Sequence, residues 1–358
     1  MAFAHQVGGH TATILSSPLS SSTLIKPASQ RELAFYQALA PSLNTSDFLG
    51  TWTPAFYGTL RLEGKVREEG GGVEKLDTAG DEEGQVEPEM LVLENLTFRF
   101  KRPNVLDIKL GTQLYDEEDA SEEKKERMIE QARKYTSGET GMRLTGFQVW
   151  NALTHSYTPT PKPFGRTLLP SELPLGLARF FYPPYSSPSS AELSGSCPPP
   201  PADQTPPPPL PKDLLLPVLR TLVRRLEKLE EVWKTLEIRM RGGSLLIVVE
   251  GDAEALEAAL LRAQAAQTQT SPSSDPSPEE AEDDSDSDAS SLDSNGDPRP
   301  SSLLAFDARL IDFAHTRAVR RDWGEEGPDE GVLRGLGKVR ELVEGLVGRL
   351  EGEEEEEE

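Results

Sequence analysis

A single cysteine among 358 residues, Cys197, excludes an internal disulfide framework and any zinc site built on several cysteines. It lies in a proline run, a setting that gives its thiol no catalytic work. Long apolar runs are missing as well: stretches such as Leu245–Val249 fall far short of the roughly 18 residues a membrane-spanning helix needs. The N-terminus lacks the charged-then-apolar pattern of a signal peptide. Only 36% of the residues are hydrophobic, while 29 glycines and 30 prolines make much of the chain unsuited to a packed core. Base is scarcer than acid, with 37 Lys and Arg against 61 Asp and Glu. No basic cluster has the density of an import signal or the interleaved aromatics of a nucleic-acid surface. We therefore expect a soluble, monomeric intracellular protein, in the nucleus, the cytoplasm or both, with no membrane span and no direct nucleic-acid role.

The acidic excess is local. Ser271–Asp297 carries ten acids and no base, Glu351–Glu358 seven acids, and Gly64–Glu89 nine acids against three bases, which accounts for nearly all of the net charge of −24. The remaining body is close to neutral, so the low isoelectric point describes appendages and leaves room for an acidic ligand. Residues 64–89, the Pro-rich 183–211, the Ser/Asp-rich 268–300 and the tail 351–358 cannot bury enough apolar surface to offset chain entropy, and we read them as disordered insertions or tail. About 250 residues then remain for one two-lobed domain.

Within that body, Thr11–Leu15 and Thr23–Lys26 read as strands, Gln30–Leu39 as a helix, and Ala55–Leu62 and Met90–Leu96 as the arms of a hairpin flanking the first insertion. Beyond them come a strand at Val105–Leu110, a charged helix at Ser121–Tyr135, a strand at Leu144–Val149 and a helix near Pro170–Phe180. A long amphipathic helix is predicted over Lys212–Arg241, with Leu215, Leu219, Leu222, Leu226 and Leu229 at steps of three and four. Leu245–Val249 and Ala308–Asp312 read as central strands and Val332–Leu350 as a closing helix. The pattern is α+β.

Two clusters carry chemistry. In Pro103-Asn-Val-Leu-Asp107-Ile-Lys109-Leu-Gly111, side chains two apart on a strand share a face, so Asp107 and Lys109 aim at one place; a cross-strand salt bridge would use the same pair. In Arg309-Leu-Ile-Asp312-Phe313-Ala-His315-Thr316, an acid ends an apolar strand, where a carboxylate is well placed to hold Mg²⁺ or to cap the next turn.

The spacing Pro-x-x-x-Asp-x-Lys-x-Gly at 103–111 together with Ile-Asp-Phe-Ala-His-Thr at 311–316 resembles the inositol polyphosphate kinase family. Further matches follow in family order: His5-Gln-Val-Gly-Gly-His10, Leu24-Ile-Lys26-Pro27, Glu32 with Phe35-Tyr36, Leu93-Glu94-Asn95-Leu96, Gly141-Met-Arg143-Leu-Thr-Gly146, Lys162-Pro-Phe-Gly-Arg166, Ser244-Leu-Leu-Ile-Val-Val-Glu-Gly251 and Gly327-Pro-Asp-Glu-Gly331. The resemblance implies a two-lobed, protein-kinase-like fold: an N-lobe over 1–97 and a C-lobe over 98–350, with ATP in the cleft between them. It implies Lys26 as the lysine that meets the ATP phosphates, Glu32 as its partner, and Glu94, Asn95 and Leu96 as the hinge against adenine. Asp107 and Lys109 become the catalytic pair, and Asp312 the Mg²⁺ ligand with Ser244 as a second contributor. Lys124, Lys125 and Arg127 on an inositol-binding helix 121–135, with Lys162 and Arg166, are the implied phosphate contacts.

Only about thirty residues separate Gly111 from Gly141, a short insert that implies an open pocket. Within the family this favours a multikinase taking inositol trisphosphate through tetrakis- to pentakisphosphate, over a hexakisphosphate kinase or a single-step trisphosphate kinase. A non-catalytic scaffold that recruits nuclear proteins through its acidic and Pro-rich segments is the alternative of another class. It should have lost Lys26, Asp107, Lys109 or Asp312, and all four are present.

Overall fold

The computed structural model describes residues 3–8, 14–18, 20–43, 48–61, 65–66, 73–74, 89–118, 120–160, 163–182, 205–269 and 304–357. Lys162, His10 and most of the segments 64–89, 183–211 and 268–300 fall outside these.

Four strands make the first sheet: β1 (Leu15–Ser16), β2 (Thr23–Pro27), β3 (Phe56–Arg61) and β4 (Glu89–Glu94), antiparallel in the order β1-β2-β4-β3. Between β2 and β3 runs α1 (Gln30–Ala34), which widens into a π-helical turn over Phe35–Leu39. Ser29 starts α1 by accepting a hydrogen bond from the Glu32 amide at 3.1 Å. The π turn places Phe35 and Tyr36 in the core, where Phe35 stacks on Phe313 at 3.9 Å between ring centroids.

The larger part follows in the order β5 (Pro103–Leu110), α2 (Glu122–Lys134), β6 (Met142–Asn151), β7 (Ser156–Thr160), α3 (Leu173–Phe181), α4 (Lys212–Lys234), β8 (Ile238–Met240), β9 (Ser244–Glu250), α5 (Ala253–Gln269), β10 (Phe306–Ile311), β11 (Thr316–Ala318) and α6 (Glu330–Glu357). Its five-stranded antiparallel sheet has the order β10-β9-β5-β6-β7, and β8 pairs separately with β11. On β5 the alternation works as a strand requires: Leu106, Ile108 and Leu110 are fully buried on one face, leaving Asp107 and Lys109 on the other. Leu215, Leu219, Leu222, Leu226 and Leu229 of α4 are buried where it packs on α6, each contributing about 1.5–3 kcal/mol by removal from water.

Several boundaries differ from the sequence reading. The long helix stops at Lys234 rather than Arg241, because Ile238, Arg239 and Met240 gain a ladder partner in Thr316–Ala318 and are all buried there; apolar spacing over so short a run cannot separate helix from strand. The second arm β7, the β8–β11 ladder and α5 carry no strong periodicity and were not anticipated. The last part of the Pro-rich stretch is placed: the Thr205 carbonyl accepts a hydrogen bond from Asn151 at 2.8 Å, and Leu210 packs against the core. Within the first insertion, Lys65–Val66 pairs with Val73–Glu74. The closing helix continues to Glu357, through most of the acidic tail. No described helix is long and apolar enough to cross a membrane.

Candidate active site

The site is assembled by the face of β5 that turns away from the core. Strand register puts Ile311, Ser244, Lys109 and Arg143 in one row across β10, β9, β5 and β6, and Leu246, Asp107 and Gly146 in a parallel row. The pairing of β5 with β6 shifts between Asp107 and Ile108, so Thr145 is an extra residue in the ladder, a bulge of the kind that re-aims side chains beside active sites.

Asp312 follows β10 directly and takes a left-handed backbone, φ 64°. Few residues other than glycine accept that conformation, and aspartate is one of them. Its carboxylate meets Lys26 of β2, with Oδ1 2.6 Å from Nζ, and the same Nζ lies 2.8 Å from Oε1 of Glu32 on α1. Burial works against charge on Lys26, yet these two carboxylates hold its ammonium well above the usual lysine range. Burial likewise opposes charge on Asp312, and the nearby Lys26 and Lys109 outweigh it and keep that carboxyl below its ordinary value.

Two pockets meet here. The first is a cavity of about 270 Å³ between the sheets, with Ile14, Leu24, Leu93, Leu96, Leu246 and Ile311 as apolar walls and Lys26, Glu32, Asp107 and Asp312 at its polar end. The N-terminal strap 3–8 covers it. His5 Nδ1 is 2.6 Å from Gln148 Nε2, and its ring packs edge-on against Phe3 and Tyr157. A Cβ on Gly8 would collide with the Asp107 carboxylate, and one on Gly146 with the Val7 carbonyl, so both glycines are needed for the strap to lie this close. The second pocket, about 380 Å³, is lined by Lys109, Arg143, Arg166, Arg241 and His315, with Asp312 as its one acid. Arg166 reaches it because the turn before it presses onto β6: a Cβ on Gly165 would collide with the Leu144 carbonyl. Arg143 is pressed below the ordinary guanidinium range by burial and by the charge of Arg166.

Asp107 sits at the junction, 4% exposed, with Oδ1 unpartnered among the described residues. Burial pushes its carboxyl up to about 6 against the pull of Lys109. Ser244 Oγ, one row away, is also buried; it faces the Asp107 carboxylate and has no closer hydrogen-bond partner among the described residues. The carboxylates of Asp312 and Asp107 and the buried Ser244 hydroxyl form a hard-oxygen set that fits a divalent cation. Among the described residues no three carboxylates, histidines or cysteines cluster as a complete protein cage, so a cation here needs oxygens from a ligand.

The other residues singled out from sequence are placed as follows. Glu94, Asn95 and Leu96 line the first cavity. The Asn95 amide is committed to its own turn, donating to the Ser21 carbonyl at 2.8 Å and accepting from Thr97. Lys124, Lys125 and Arg127 are on α2 and are not among the residues lining the cationic pocket; Lys125 pairs with Glu122 at 2.7 Å. Lys162 is outside the described residues. Sequence reading gave no role to Arg143, which only the β5–β6 register reveals opposite Lys109, and read Arg241 as the end of a helix that stops earlier.

Comparison with known proteins fixes the class. The inositol polyphosphate kinase family profile matches residues 90–196 and 211–344, and the chain belongs to that family; it is an inositol phosphate kinase. The inositol polyphosphate multikinase of Saccharomyces cerevisiae is 29% identical over 366 aligned positions, covering 93% of this chain and 94% of that protein. That of Schizosaccharomyces pombe is 31% identical over 179 positions, covering 50% of this chain and 62% of the relative. Human inositol hexakisphosphate kinase 1 is 30% identical over 71% of this chain, which spans about half, 52%, of that enzyme. A crystal structure of the S. cerevisiae inositol phosphate multikinase with ADP and Mn²⁺ superimposes with a TM-score of 0.58 at 24% identity, over 91% of this chain and 99% of that one. The two share the two-lobed kinase-like fold.

Proposed function

We propose that the chain is an ATP-dependent inositol polyphosphate multikinase that takes inositol trisphosphate through tetrakis- to pentakisphosphate. One observation carries this reading: Asp312 lines both pockets, while the strand neighbours Asp107 and Lys109 open one to each. An apolar cavity ending in Lys26 suits adenine and its phosphates. The adjoining pocket suits a polyanion, since none of Lys109, Arg143 and Arg166 is drawn into an ion pair among the described residues.

In this reading Lys26 binds ATP phosphate oxygens and Glu32 holds its ammonium in place. Asp312, with Ser244 beside it, would hold Mg²⁺, which when bound neutralises charge on the transferring phosphates. Asp107 orients the acceptor hydroxyl and accepts its proton as the hydroxyl oxygen forms a bond to the γ-phosphorus and the bond to the bridging oxygen of ADP breaks. A carboxylate raised to about 6 is a better proton acceptor than an ordinary aspartate and is still ionised at neutral pH. Lys109 faces the charge that builds on the transferring group, and Arg143 and Arg166 grip phosphates that do not react. An open cationic pocket that grips phosphates without enclosing the ring admits the substrate in more than one orientation, as successive transfers require.

The test is product analysis after incubation with Mg-ATP and, separately, inositol trisphosphate, pentakisphosphate and hexakisphosphate, with Asp107→Asn as control. Stepwise conversion of trisphosphate to pentakisphosphate, lost in the control, is the expected result. Pyrophosphate products from hexakisphosphate would replace the multikinase reading with the hexakisphosphate one, and no turnover of any of the three would overturn both.

A further inference from the structure

Asp116, Glu117 and Glu118, the first three of four consecutive acids, lie in the segment that leads from β5 into α2, and they are gripped by arginines from three different places. Arg31 of α1 pairs with Asp116, whose side chain is 1% exposed, and with Glu118 at 2.8 Å. Arg317 of β11 meets Glu117 at 3.2 Å, and Arg320 meets Glu118 at 2.6 Å. Arg241, on the wall of the cationic pocket, holds Glu117 at 3.2 Å while also pairing with the buried Asp329. The segment is therefore an elbow. It ends at Ser121, whose hydroxyl caps α2 by accepting from the Lys124 amide at 3.3 Å.

The unusual member is Arg31, because it comes from the opposite side of the cleft. It is the neighbour of Glu32, which holds Lys26 at the polar end of the nucleotide pocket. Four residues along, Phe35 stacks on Phe313, the residue after Asp312. Helix α1 thus touches the nucleotide-facing lysine, the Asp312 turn and the elbow within five residues, and the ion pairs Lys26–Glu32, Arg31–Glu118 and Glu117–Arg241, joined by the backbone between neighbours, run from the first pocket to the second.

We propose that Arg31 is a positioning residue that couples the two pockets, so that a nucleotide engaging Lys26 draws α1 and the elbow into the arrangement that sets Arg241 for the inositol phosphate. This rests on the reading of the pockets given above. Arg31 acts through the elbow and contacts neither substrate.

Isothermal titration with a non-hydrolysable ATP analogue, Mg²⁺ and inositol trisphosphate tests it. In the unaltered protein the analogue is expected to tighten trisphosphate binding about 5- to 20-fold, and by linkage the trisphosphate tightens the analogue by the same factor. Arg31→Ala is expected to reduce that factor to about twofold or less, on the same scale, with the analogue alone still binding. Arg31→Lys, which can reach only one of the two carboxylates, should fall between. If Arg31→Ala does not fold, Glu118→Ala, on a side chain 27% exposed, takes its place. A coupling factor near one in the unaltered protein, or an undiminished factor in the variants, overturns the inference and leaves the pocket assignment standing. Failure of the unaltered protein to bind either ligand overturns the assignment and the inference together.

Discussion

Lys26 enters the nucleotide pocket gripped by two carboxylates, Glu32 at 2.8 Å and Asp312 at 2.6 Å, whereas Lys109, Arg143 and Arg166 enter the neighbouring pocket with no carboxylate in ion-pair contact among the described residues. In the first arrangement the ammonium is more than compensated before any ligand arrives, one positive charge held between two carboxylates. On the proposed function, a nucleotide phosphate entering there would take Lys26 over from Asp312 and free that carboxylate for a cation. The second arrangement is a standing excess of positive charge in a partly buried place, which is unfavourable until an anion fills it. On the proposed function, a cation is held compensated by carboxylates where a nucleotide and metal would exchange partners, and cations are left uncompensated where a polyanion would be captured. Asp312, shared by both walls, is where the two regimes meet.

The largest expected effect comes from removing that shared residue. Asp312→Asn should lower kcat by roughly 10³-fold, since it strips charge stabilisation from the transferring phosphate. Its melting temperature should stay close to that of the unaltered protein, because the lost partner of Lys26 is backed by Glu32. A steady-state rate within tenfold of normal would place the cation elsewhere.

Asp107→Asn separates function from stability. Loss of the proton acceptor should lower kcat by about 10²- to 10⁴-fold. The same change should stabilise the fold at pH 7. The folded pKa, about 6, lies above the ordinary aspartate value of 3.8, so the folded protein holds the extra proton between those pH values and loses stability as pH rises through them. A shift of that size corresponds to about 2–3 kcal/mol. Urea midpoints should therefore favour Asp107→Asn at pH 7 and converge with the unaltered protein near pH 4; a destabilised variant at pH 7 would mean that the carboxylate is not held against its preference. In the unaltered enzyme, kcat/KM should fall as pH drops through about 6.

Much of this was legible in the sequence because it depends on short-range geometry. Residues two apart on a strand share a face whatever the partner strands do, so Asp107 and Lys109 could be paired from β5 alone. Asp312 announced itself as an acid ending an apolar strand, and the fold followed from ordered motifs. What stayed hidden depends on register between distant strands. Arg143 stands opposite Lys109 through a ladder containing the Thr145 bulge, and no local pattern foretells where a bulge falls. Arg241 was masked by leucine spacing that runs on past the end of α4. The elbow's acids look like any charged loop until their arginines, up to 202 positions away in the chain, are brought beside them.

The cationic pocket can be probed one guanidinium at a time. Arg143→Ala and Arg166→Ala should each raise KM for inositol trisphosphate by about 10- to 100-fold, the worth of a charge-assisted hydrogen bond to phosphate, while KM for ATP stays within about twofold because neither residue lines the nucleotide cavity. Of the two, Arg143 should show the larger effect. It is the more buried and stands directly across from Lys109, so its charge acts through less solvent. Equal rises in both KM values would contradict the division of the cleft into two pockets.

The smallest effect belongs to the cations of α2. Lys125 is already paired with Glu122 on the same helix, Lys124 is half-buried beside it, and Arg127 stands next to Glu126 open to water. Charges so placed interact with a phosphate only through a strongly screening medium. Lys125→Ala and Arg127→Ala should therefore raise KM for trisphosphate by less than about threefold, and the rise should shrink as salt is added, whereas the effect of Arg143→Ala should persist. The salt dependence decides what α2 is for. An effect that fades marks a helix that steers an anion toward the pocket. A large rise that survives high salt would mean that α2 closes onto the bound inositol ring, bringing Lys125 into contact and extending the cationic wall beyond Arg143 and Arg166.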